Sequence, residues 1–393
     1  MAGPLTGIRV LDLTRVLAGP WATQTLADLG AEVIKIEKPG EGDDTRGWGP
    51  PFLEGGDAAY FASANRGKHS VCIDMAKPEG QSLIKALAAK SDILIENFKV
   101  GGLAKYGLDY ESLKASHPAV IYCSITGFGQ NGPYANRAGY DFMIQGMSGL
   151  MSITGEPDGA PMKVGVAFAD VFTGLYSVIG ILGALHHRNK TGLGQFIDMA
   201  LLDSQVAVLA NQGLNYLVGG KVPQRLGNAH PNIVPYQTFE TADGHIIVAV
   251  GNDRQFTEYC RIINVTVDAK FATNRGRVEG RAELIPLLAP AMKKQTTAHW
   301  VAAFESAAVP CGPINTIDQV FADPQVLARG LQIGQTREDG VQVLGIANPI
   351  VFSETPIEYE RAAPKLGADT HKILSAFLSG AEIADLVTKK IVA

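Results

Sequence analysis

Short runs of β-branched and aliphatic residues alternate with amphipathic helical segments along the first half of this 393-residue chain. Alternation of this kind is typical of a parallel sheet covered by helices on both faces. Two helical segments, 20–29 and 78–90, begin with proline, which suits the first turn of a helix. The sequence therefore predicts an α/β, Rossmann-type domain, with strands near residues 8–13, 32–36, 93–96, 120–125 and 195–199.

The composition changes after an apolar helix predicted over residues 201–218. The following stretch is rich in Gly, Pro, Asn and His, and two strand patterns then flank a Thr-Ala-Asp-Gly turn, which indicates a hairpin. The chain is also longer than one hydrophobic core usually grows. We predict a large domain over 1–218 that carries Asp170, a linker over 219–235, a smaller α+β domain over 236–329, and a return to the large domain over 330–393, with strands at 341–344 and 351–353.

Composition excludes several classes of protein. Hydrophobic residues make up 46% and charged residues 19%, which argues against a disordered scaffold, and the net charge of −5 argues against a general nucleic-acid binder. Neither a secretion signal nor an apolar segment long enough to span a bilayer is evident, so we expect a soluble, cytoplasmic protein without membrane contact. The widely spaced cysteines lack metal-ligand spacing, so we expect reduced thiols and no metal.

Asp170 lies in an almost wholly apolar, small-residue run, 165–175, before a helix predicted over 171–187. Exposed amides and the helix macrodipole favour an anion at that edge. A carboxylate held ionised and partly desolvated there can act as a nucleophile on an activated carbonyl. Taken alone, cap preferences favour the simpler interpretation, a helix N-cap. Asp198 and Asp203 have similar apolar surroundings, and either could cap the helix that begins near residue 201.

Two further motifs allow alternative interpretations. Residues 127–132 match the GxGxxG pattern of dinucleotide sites, but they are not in the first βα turn and a poor helix start follows. We favour a loop whose backbone approaches a ligand over a nicotinamide site. Arg66 and Lys68 precede a strand-like segment, where they form either a phosphate site or a solvated basic turn. Among the histidines, His230 lies in a Gly-Asn-Ala-His-Pro segment, 227–231, whose composition indicates an unusual loop.

The motifs together resemble one family, the class III CoA-transferases, which also includes the α-methylacyl-CoA racemases. The resemblance runs nearly from end to end, and so many matches in order make it specific. It is carried by residues 10–13 (VLDL), 18–20 (AGP), 30–39 (GAEVIKIEKP), 42–46 (GDDTR), 65–68 (NRGK), 96–98 (ENF), 127–134 (GFGQNGPY), 139–141 (GYD) and 165–175 (GVAFADVFTGL).

This resemblance implies that Asp170 is the catalytic nucleophile. Its carboxylate would form a mixed anhydride and then an aspartyl-CoA thioester, without metal, ATP or a cofactor other than the CoA thioester substrate. The resemblance also implies an interlocked homodimer. The implied CoA contacts are Val16, Leu17, Lys38, Cys72, Ile73, Asp74, Met75, Asn97, Phe98, Lys99, Lys105, Arg137 and Tyr140.

The resemblance also narrows the substrate. Racemases of the family carry a histidine where this chain has Tyr140, and the glycine loop of formyl-CoA transferases is reduced here to residues 250–253. Residues 225–237 and 309–315 are most similar to the succinyl-CoA-dependent dicarboxylate branch. We expect transfer of CoA from succinyl-CoA to glutarate, hydroxymethylglutarate, malate, citramalate or itaconate.

Several alternatives stay open at this point. Within the family they are a racemase and an oxalate or carnitine CoA-transferase, and outside it a dinucleotide oxidoreductase and a non-catalytic CoA-binding protein. Arg15, Arg46 and Arg225 are candidates for holding the distal carboxylate of a dicarboxylic acid, because an arginine fork suits that group.

Overall fold

The computed structural model describes residues 3–393, which divide into two compact units. The larger unit comprises the chain up to Leu150, Val164–Leu214 and Gln325–Ala393. The smaller unit comprises Met151–Lys163 and Asn215–Pro324.

A parallel sheet forms the centre of the larger unit. Its strands are β1 (Arg9–Asp12), β2 (Glu32–Glu37), β3 (Lys68–Cys72), β4 (Ile93–Glu96), β5 (Ile121–Thr126) and β6 (Phe196–Ala200). Their order across the sheet is β3-β2-β1-β4-β5-β6, with every neighbouring pair parallel. This is the order of a Rossmann-type sheet, so the predicted α/β class is confirmed. The order reverses between β1 and β4, and ligands bind at such switch points.

Antiparallel strands complete the two units. The smaller unit contains β7 (Tyr236–Glu240), β8 (His245–Ala249) and β9 (Cys311–Pro313), in which β7 and β8 form the predicted hairpin. In the larger unit, β10 (Gln332–Thr336) pairs with β11 (Gln342–Ile346). The second strand predicted in this region, at 351–353, is wrong, since these residues are irregular.

The helices follow the predicted pattern with some shifted ends. They are α1 (Ala18–Asp28), α2 (Ala59–Ala62), α3 (Pro78–Ala88), α4 (Tyr110–Lys114), α5 (Asp141–Met147), α6 (Leu150–Ile153), α7 (Phe168–Thr191), α8 (Leu201–Ala207), α9 (Ala210–Gly219), α10 (Asp253–Ile262), α11 (Asn274–Glu279), α12 (Arg281–Met292), α13 (Thr297–Ser306), α14 (Ile317–Ala322), α15 (Pro324–Ala328), α16 (Thr370–Leu374) and α17 (Gly380–Thr388). The single helix predicted over 201–218 is two, because Ala210 adopts a left-handed backbone conformation (φ 46°) that interrupts it.

Consecutive apolar residues in the central strands point to opposite faces of the sheet and fill a hydrophobic core on each face. Val10 and Val33 belong to the core beneath α1 and α7. Leu11 and Ile34, one residue further along, belong to the opposite core, which α3 and α17 cover. Side chains of a strand point alternately to its two faces, so continuous apolar strands are expected in a sheet buried on both sides.

Helix α7 packs closely against α1. A β-carbon at Gly174 would lie 2.8 Å from the carbonyl oxygen of Ala18, so only glycine permits this approach. Its 24 residues are long and apolar enough to cross a membrane, so the prediction that no such segment exists is wrong by length and composition. Residues such as Val178 and Ile181 are nevertheless buried in the core of the larger unit.

The division into units differs from the predicted domains. Residues 151–163 lie in the smaller unit, where Arg225 donates hydrogen bonds to the carbonyls of Glu156 (3.2 Å) and Gly159 (2.8 Å). Residues 219–235 also belong to that unit and are held to it, because Arg277 Nε donates to the carbonyl of Val234 at 2.7 Å. Hydrogen bonds to distant arginines therefore fix segments that the sequence presents as domain interior and linker.

Candidate active site

A cleft of about 310 Å³ opens at the carboxyl ends of β1 to β4, beside the switch point of the sheet. The predicted CoA contacts on its wall lie just after the ends of β2, β3 and β4. The cleft brings together Lys38, Ile73, Asp74, Met75 and Phe98 with Leu13, Arg15, Lys35, Ile36, Glu37, Glu41, Gly42, Asp43, Asp44, Ala76 and Tyr106. The larger unit therefore brings five of the predicted contacts into one cleft.

A buried ion network supports the cleft from below. Lys35 Nζ lies 2.9 Å from Asp43 Oδ2 and donates to the carbonyl of Thr14 at 2.7 Å. Lys68 Nζ lies 3.2 Å from Asp12 Oδ2. Burial opposes the charge of Asp12, but Lys68 and Lys35 together lower the pKa of Asp12 to about 2. These side chains are fully enclosed and mutually neutralised, so their role is to hold the strand ends in place.

The loop after β1 carries the next two predicted contacts, Val16 and Leu17. Val16 has a left-handed backbone (φ 72°), which is an outlier for a β-branched residue, and its N–H donates to Asp43 Oδ1 at 3.2 Å. Leu17 forms the N-cap of α1. Asn97 Oδ1 accepts the backbone N–H of Arg15 at 3.0 Å, and Asn97 Nδ2 donates to the carbonyl of Arg15 at 2.7 Å. The predicted residues Val16, Leu17 and Asn97 thus adjoin Arg15, which lines the cleft.

Like Val16, Leu17 and Asn97, five further predicted contacts do not line the cleft. Cys72 is enclosed, and burial raises the pKa of its thiol to about 12. Lys99 is exposed, whereas Lys105 places its Nζ 4.7 Å from the ring centre of Tyr106 at the cleft edge. The two others, Arg137 and Tyr140, are exposed on the loop after β5.

Both interpretations of the Asn-Arg-Gly-Lys turn are wrong. Arg66 is buried and forms a two-pronged pair with Asp28, at 2.8 and 2.6 Å. Lys68 is fully enclosed and bonds Asn65 Oδ1 at 2.8 Å as well as Asp12. Neither cation is solvated or free to bind a phosphate.

The glycine loop after β5 folds back on itself. A β-carbon at Gly127 would lie 2.6 Å from the α-carbon of Gly139, so these two glycines pack backbone against backbone. The next helix, α5, begins only at Asp141. A dinucleotide site needs a helix N-terminus directly after the glycines, so this geometry does not support the nicotinamide interpretation.

Asp170 is the third residue of α7, whose N-cap is Ala167, so the interpretation of Asp170 as an N-cap is wrong. Backbone N–H groups in the first turn of α7 donate hydrogen bonds to a side chain on another helix. Asp141 Oδ1 accepts the N–H of Ala169 at 2.8 Å and that of Asp170 at 3.4 Å. The helix is therefore capped by a carboxylate from α5.

The Asp170 carboxyl is half-buried, and among residues 3–393 no side chain or amide donates a hydrogen bond to it. Burial, and secondarily the charge of Asp141, raise the pKa of Asp170 to about 7. An unbonded carboxylate with a raised pKa is more basic than an ordinary aspartate, which favours nucleophilic chemistry.

Tyr60 on α2 was not identified from the sequence. Burial raises the pKa of its hydroxyl, and the charges of Asp170, Asp141 and Asp43 raise it further. Tyr60 therefore lies within electrostatic reach of both Asp170 and the cleft residue Asp43. Its ring meets that of Trp48 edge to face, with centres 5.4 Å apart. The sequence offers no signal for this role, because aromatic residues in such a segment are equally typical of a core.

Glu96 is a second carboxyl that sequence reasoning missed as a titrating group. It ends β4 in the core, where burial raises its pKa to about 7 despite hydrogen bonds from Ser124 and from the Phe98 N–H at 2.7 Å. Phe98 lines the cleft, so Glu96 fixes the backbone of a predicted CoA contact.

The remaining sequence candidates have other roles. Asp198 accepts the N–H of Gln130 at 3.0 Å and Asp203 is exposed, so the expectation that either caps α8 is wrong; that N-cap is Ala200. His230 Nδ1 accepts the N–H of Asn232 within the smaller unit. Among the candidate arginines, Arg46 is buried against Glu37 and Asp57, Arg225 holds carbonyls, and Arg15 is exposed in the cleft wall.

Comparison with known proteins gives a consistent result. The profile of CoA-transferase family III matches residues 5–370. A succinate–glutarate CoA-transferase of Agrobacterium fabrum is 56% identical over 380 residues, covering 95% of both chains. A human succinyl-CoA:glutarate CoA-transferase is 47% identical over 379 residues, covering 95% of this chain and 86% of the other. A CAIB/BAIF family crystal structure from Brucella suis is 54% identical, with a TM-score of 0.85, and the match covers 96% of this chain and 100% of that one.

Proposed function

The chain belongs to CoA-transferase family III, and we propose that it moves CoA from succinyl-CoA to a dicarboxylic acid, with glutarate as the preferred acceptor. The observation that carries this proposal is the agreement among relatives that match almost the whole chain. The bacterial relative and those from human and mouse are all named for succinate or succinyl-CoA and glutarate. More distant ones are named for mesaconate and citramalate, which are also dicarboxylates.

Asp170 is the nucleophile of the proposed reaction. Its carboxylate oxygen forms a bond to the acyl carbon of succinyl-CoA, and the carbon–sulfur bond breaks as the CoA thiolate leaves with its electron pair. The thiolate then attacks the Asp170 carbonyl carbon of this mixed anhydride and expels succinate. The result is an aspartyl-CoA thioester, in which Asp170 carries the CoA.

The acceptor carboxylate reverses these steps. It attacks the Asp170 carbonyl carbon and expels the CoA thiolate, which next attacks the acceptor's acyl carbon and restores the free Asp170 carboxylate. No net proton, metal or ATP enters the scheme, because thioester and anhydride are both activated acyl groups. Exclusion of water from both intermediates separates transfer from hydrolysis.

The cleft at the ends of β1 to β4 is the proposed CoA site. Lys38 in its wall would hold CoA phosphates, and residues 73–75 would surround the adenine. Arg15 is the exposed member of the three arginines considered for the distal carboxylate, so it is the candidate we retain. Its guanidinium lies 3.2 Å from Asp44, and substrate binding would compete with that exposed pair.

The proposed enzyme is a homodimer. The face of α7 that points away from its core carries Leu175, Tyr176, Ile179 and Leu182, and Ile179 is 62% exposed. A contiguous apolar face of this kind is typical of a surface covered by another protein. Light scattering of the purified protein tests this, since a single monomer mass would contradict it.

Product analysis tests the reaction. We would incubate the protein with succinyl-CoA and a panel of glutarate, hydroxymethylglutarate, malate, citramalate, itaconate, oxalate and carnitine, and identify CoA esters by mass spectrometry. We expect glutaryl-CoA first, no transfer by Asp170→Ala, and activity retained in Asp198→Ala, another aspartate of the larger unit. Valerate, a monocarboxylate of the same chain length as glutarate, is the control, and its acceptance as readily as glutarate would contradict the proposed substrate class. Deuterium incorporation at the α-carbon without transfer would instead support a racemase.

A further inference from the structure

Asp141 bears on the reactivity of Asp170 through the hydrogen bonds at the start of α7. The second and third amides of a helix usually bond to the side chain of its N-cap, but the N-cap here is Ala167, which has no acceptor. Asp141 Oδ1 takes these two amides instead, from a helix that begins 29 residues before Asp170. Donors that could otherwise stabilise the Asp170 carboxylate are therefore occupied.

The position of Asp141 is itself fixed. Gln145, one turn later on α5, is fully buried and donates its Nε2 hydrogen to Asp141 Oδ2 at 2.8 Å. The other end of that amide, Oε1, accepts the N–H of Val164 at 2.9 Å. Both oxygens of Asp141 thus have defined partners, whereas Asp170 receives no hydrogen bond from any residue in 3–393.

We propose that Asp141 is a positioning residue for the transfer reaction: it occupies the first-turn amides of α7 and so keeps the neighbouring nucleophile unbonded and basic. The inference rests on the proposed role of Asp170. Asp141 on α5 and Tyr60 on α2 are the titratable groups of the described chain that interact with Asp170 electrostatically. Tyr60 is neutral in the working pH range, so Asp141 supplies the charge.

That charge acts on the reaction in one direction. Before attack, the charge of Asp141 destabilises the ionised carboxylate of Asp170. When Asp170 forms the anhydride or the CoA thioester, it loses its charge and the repulsion ends. Asp141 therefore favours the covalent intermediates over the free carboxylate, an effect expressed as the transition state is approached.

The pH profile of kcat/KM distinguishes this role from a purely structural one. Asp170 must be ionised to attack, so activity rises with pH through its pKa, which places the acid limb near pH 7. Asp141→Asn keeps an oxygen that can accept both amides but removes the charge. We expect its acid limb to move to lower pH by about one unit and its kcat at high pH to fall about tenfold.

Asp141→Glu is the matched variant, because it keeps the charge. Its acid limb should stay near that of the wild type even if activity falls. An unmoved limb with unchanged kcat in Asp141→Asn would overturn the inference, as would a shifted limb in Asp141→Glu. If Asp141→Asn does not fold, Asp141→Ser, which also keeps an acceptor oxygen without the charge, replaces it in the same assay with the same expected shift of the acid limb.

Intact-protein mass spectrometry after mixing with succinyl-CoA keeps the two proposals separable. A CoA adduct on the wild type that is missing in Asp170→Ala supports the nucleophile, whatever Asp141→Asn does. Full activity in Asp170→Ala would refute the nucleophile, and this inference with it. An adduct on wild type together with an unmoved limb in Asp141→Asn refutes only the role of Asp141.

Discussion

Two sets of carboxylates in the larger unit, one fully buried and one half-buried, have pKa values shifted in opposite directions. Under the cleft, Asp12 and Asp43 face lysines and hydrogen-bond donors, and the pKa of each is lowered despite burial. At the start of α7, Asp170 faces another carboxylate and no donor, and its pKa is raised. Burial is common to both sets, so the partners decide which carboxylate is structural and which is reactive.

The paired carboxylates accept backbone N–H groups and so hold the loops of the cleft wall in place. Asp43 alone accepts the N–H of Val16 and of Thr45, so it fixes two loops of the cleft wall. Asp12 fixes Thr14 in the same way, at 2.8 Å. Both oxygens of Asp12 and of Asp43 are occupied by partners, whereas neither oxygen of Asp170 accepts a hydrogen bond within residues 3–393.

The largest expected effect tests the paired set. Asp12→Ala leaves the ammonium of Lys68 buried without its ion partner, so we expect the free energy of unfolding to fall by roughly 3–5 kcal/mol. Urea denaturation measures it. Asp44→Ala is the control, because its exposed pair with Arg15 contributes less than about 1 kcal/mol. Equal stability of the two variants would remove the basis of the comparison.

Ionisation of the unpaired carboxylate, Asp170, should destabilise the fold, whereas ionisation of the paired carboxylates stabilises it. Between the ordinary pKa of 3.8 and about 7, native Asp170 keeps a proton that the unfolded chain releases, so stability falls as pH rises through this window. Asp170→Asn should therefore be more stable than wild type by about 2 kcal/mol above pH 7, a figure reduced for partial exposure. The difference should vanish below about pH 3, where Asp170 is largely protonated in both the native and the unfolded wild type. Denaturation at the two pH values measures it, and a pH-independent difference would refute the assignment.

The environment of Glu96 is intermediate between those of the two sets, because Glu96 is buried and accepts hydrogen bonds but has no cationic partner. Above pH 7, where Glu96 is ionised, Glu96→Gln replaces a charged acceptor at the Phe98 N–H by a neutral one, which is equivalent to about 1 kcal/mol. We expect KM for succinyl-CoA to rise about fivefold, with kcat within about twofold. Ser124→Ala serves as control because it keeps the carboxylate. A change confined to kcat would contradict this positioning role.

The smallest stability effect concerns an ion pair outside both sets. Lys38 and Glu41 are exposed at 61% and 67%, so Lys38→Ala should change the free energy of unfolding by less than about 0.5 kcal/mol. KM for succinyl-CoA should rise nonetheless, because the proposed CoA site includes Lys38. Lys293→Ala, which breaks an exposed pair with Glu240, should match its stability without altering KM. Unchanged KM in Lys38→Ala would remove this residue from the site.

Sequence patterns predicted the sheet well and the charges poorly. The strand at 93–96 agrees with β4 at both ends, because a continuous apolar run bounded by polar residues is a local signal. The helix carrying Asp170 begins three residues earlier than predicted, since its cap comes from Asp141, far away in sequence. Residues 73–75 line the cleft, whereas the side chain of Cys72, predicted with them as a CoA contact, is buried in the core.

Arg66 and Lys68 show the limit most clearly. Their composition indicates a phosphate site or a solvated turn, yet each is buried against an aspartate from an earlier element. Nothing within a few residues of either cation distinguishes these possibilities. The partner carboxylates, Asp28 and Asp12, are 38 and 56 residues away.

The sequence by itself determined the order of strands and helices, the family, and Asp170 as the candidate nucleophile. Each follows from local periodicity or from motifs that can be compared residue by residue. Only the tertiary structure decided which charged groups are neutralised and which remain reactive. The reason is physical: desolvation and charge pairing depend on what encloses a group in space, and for Asp170 that includes Asp141, held on another helix.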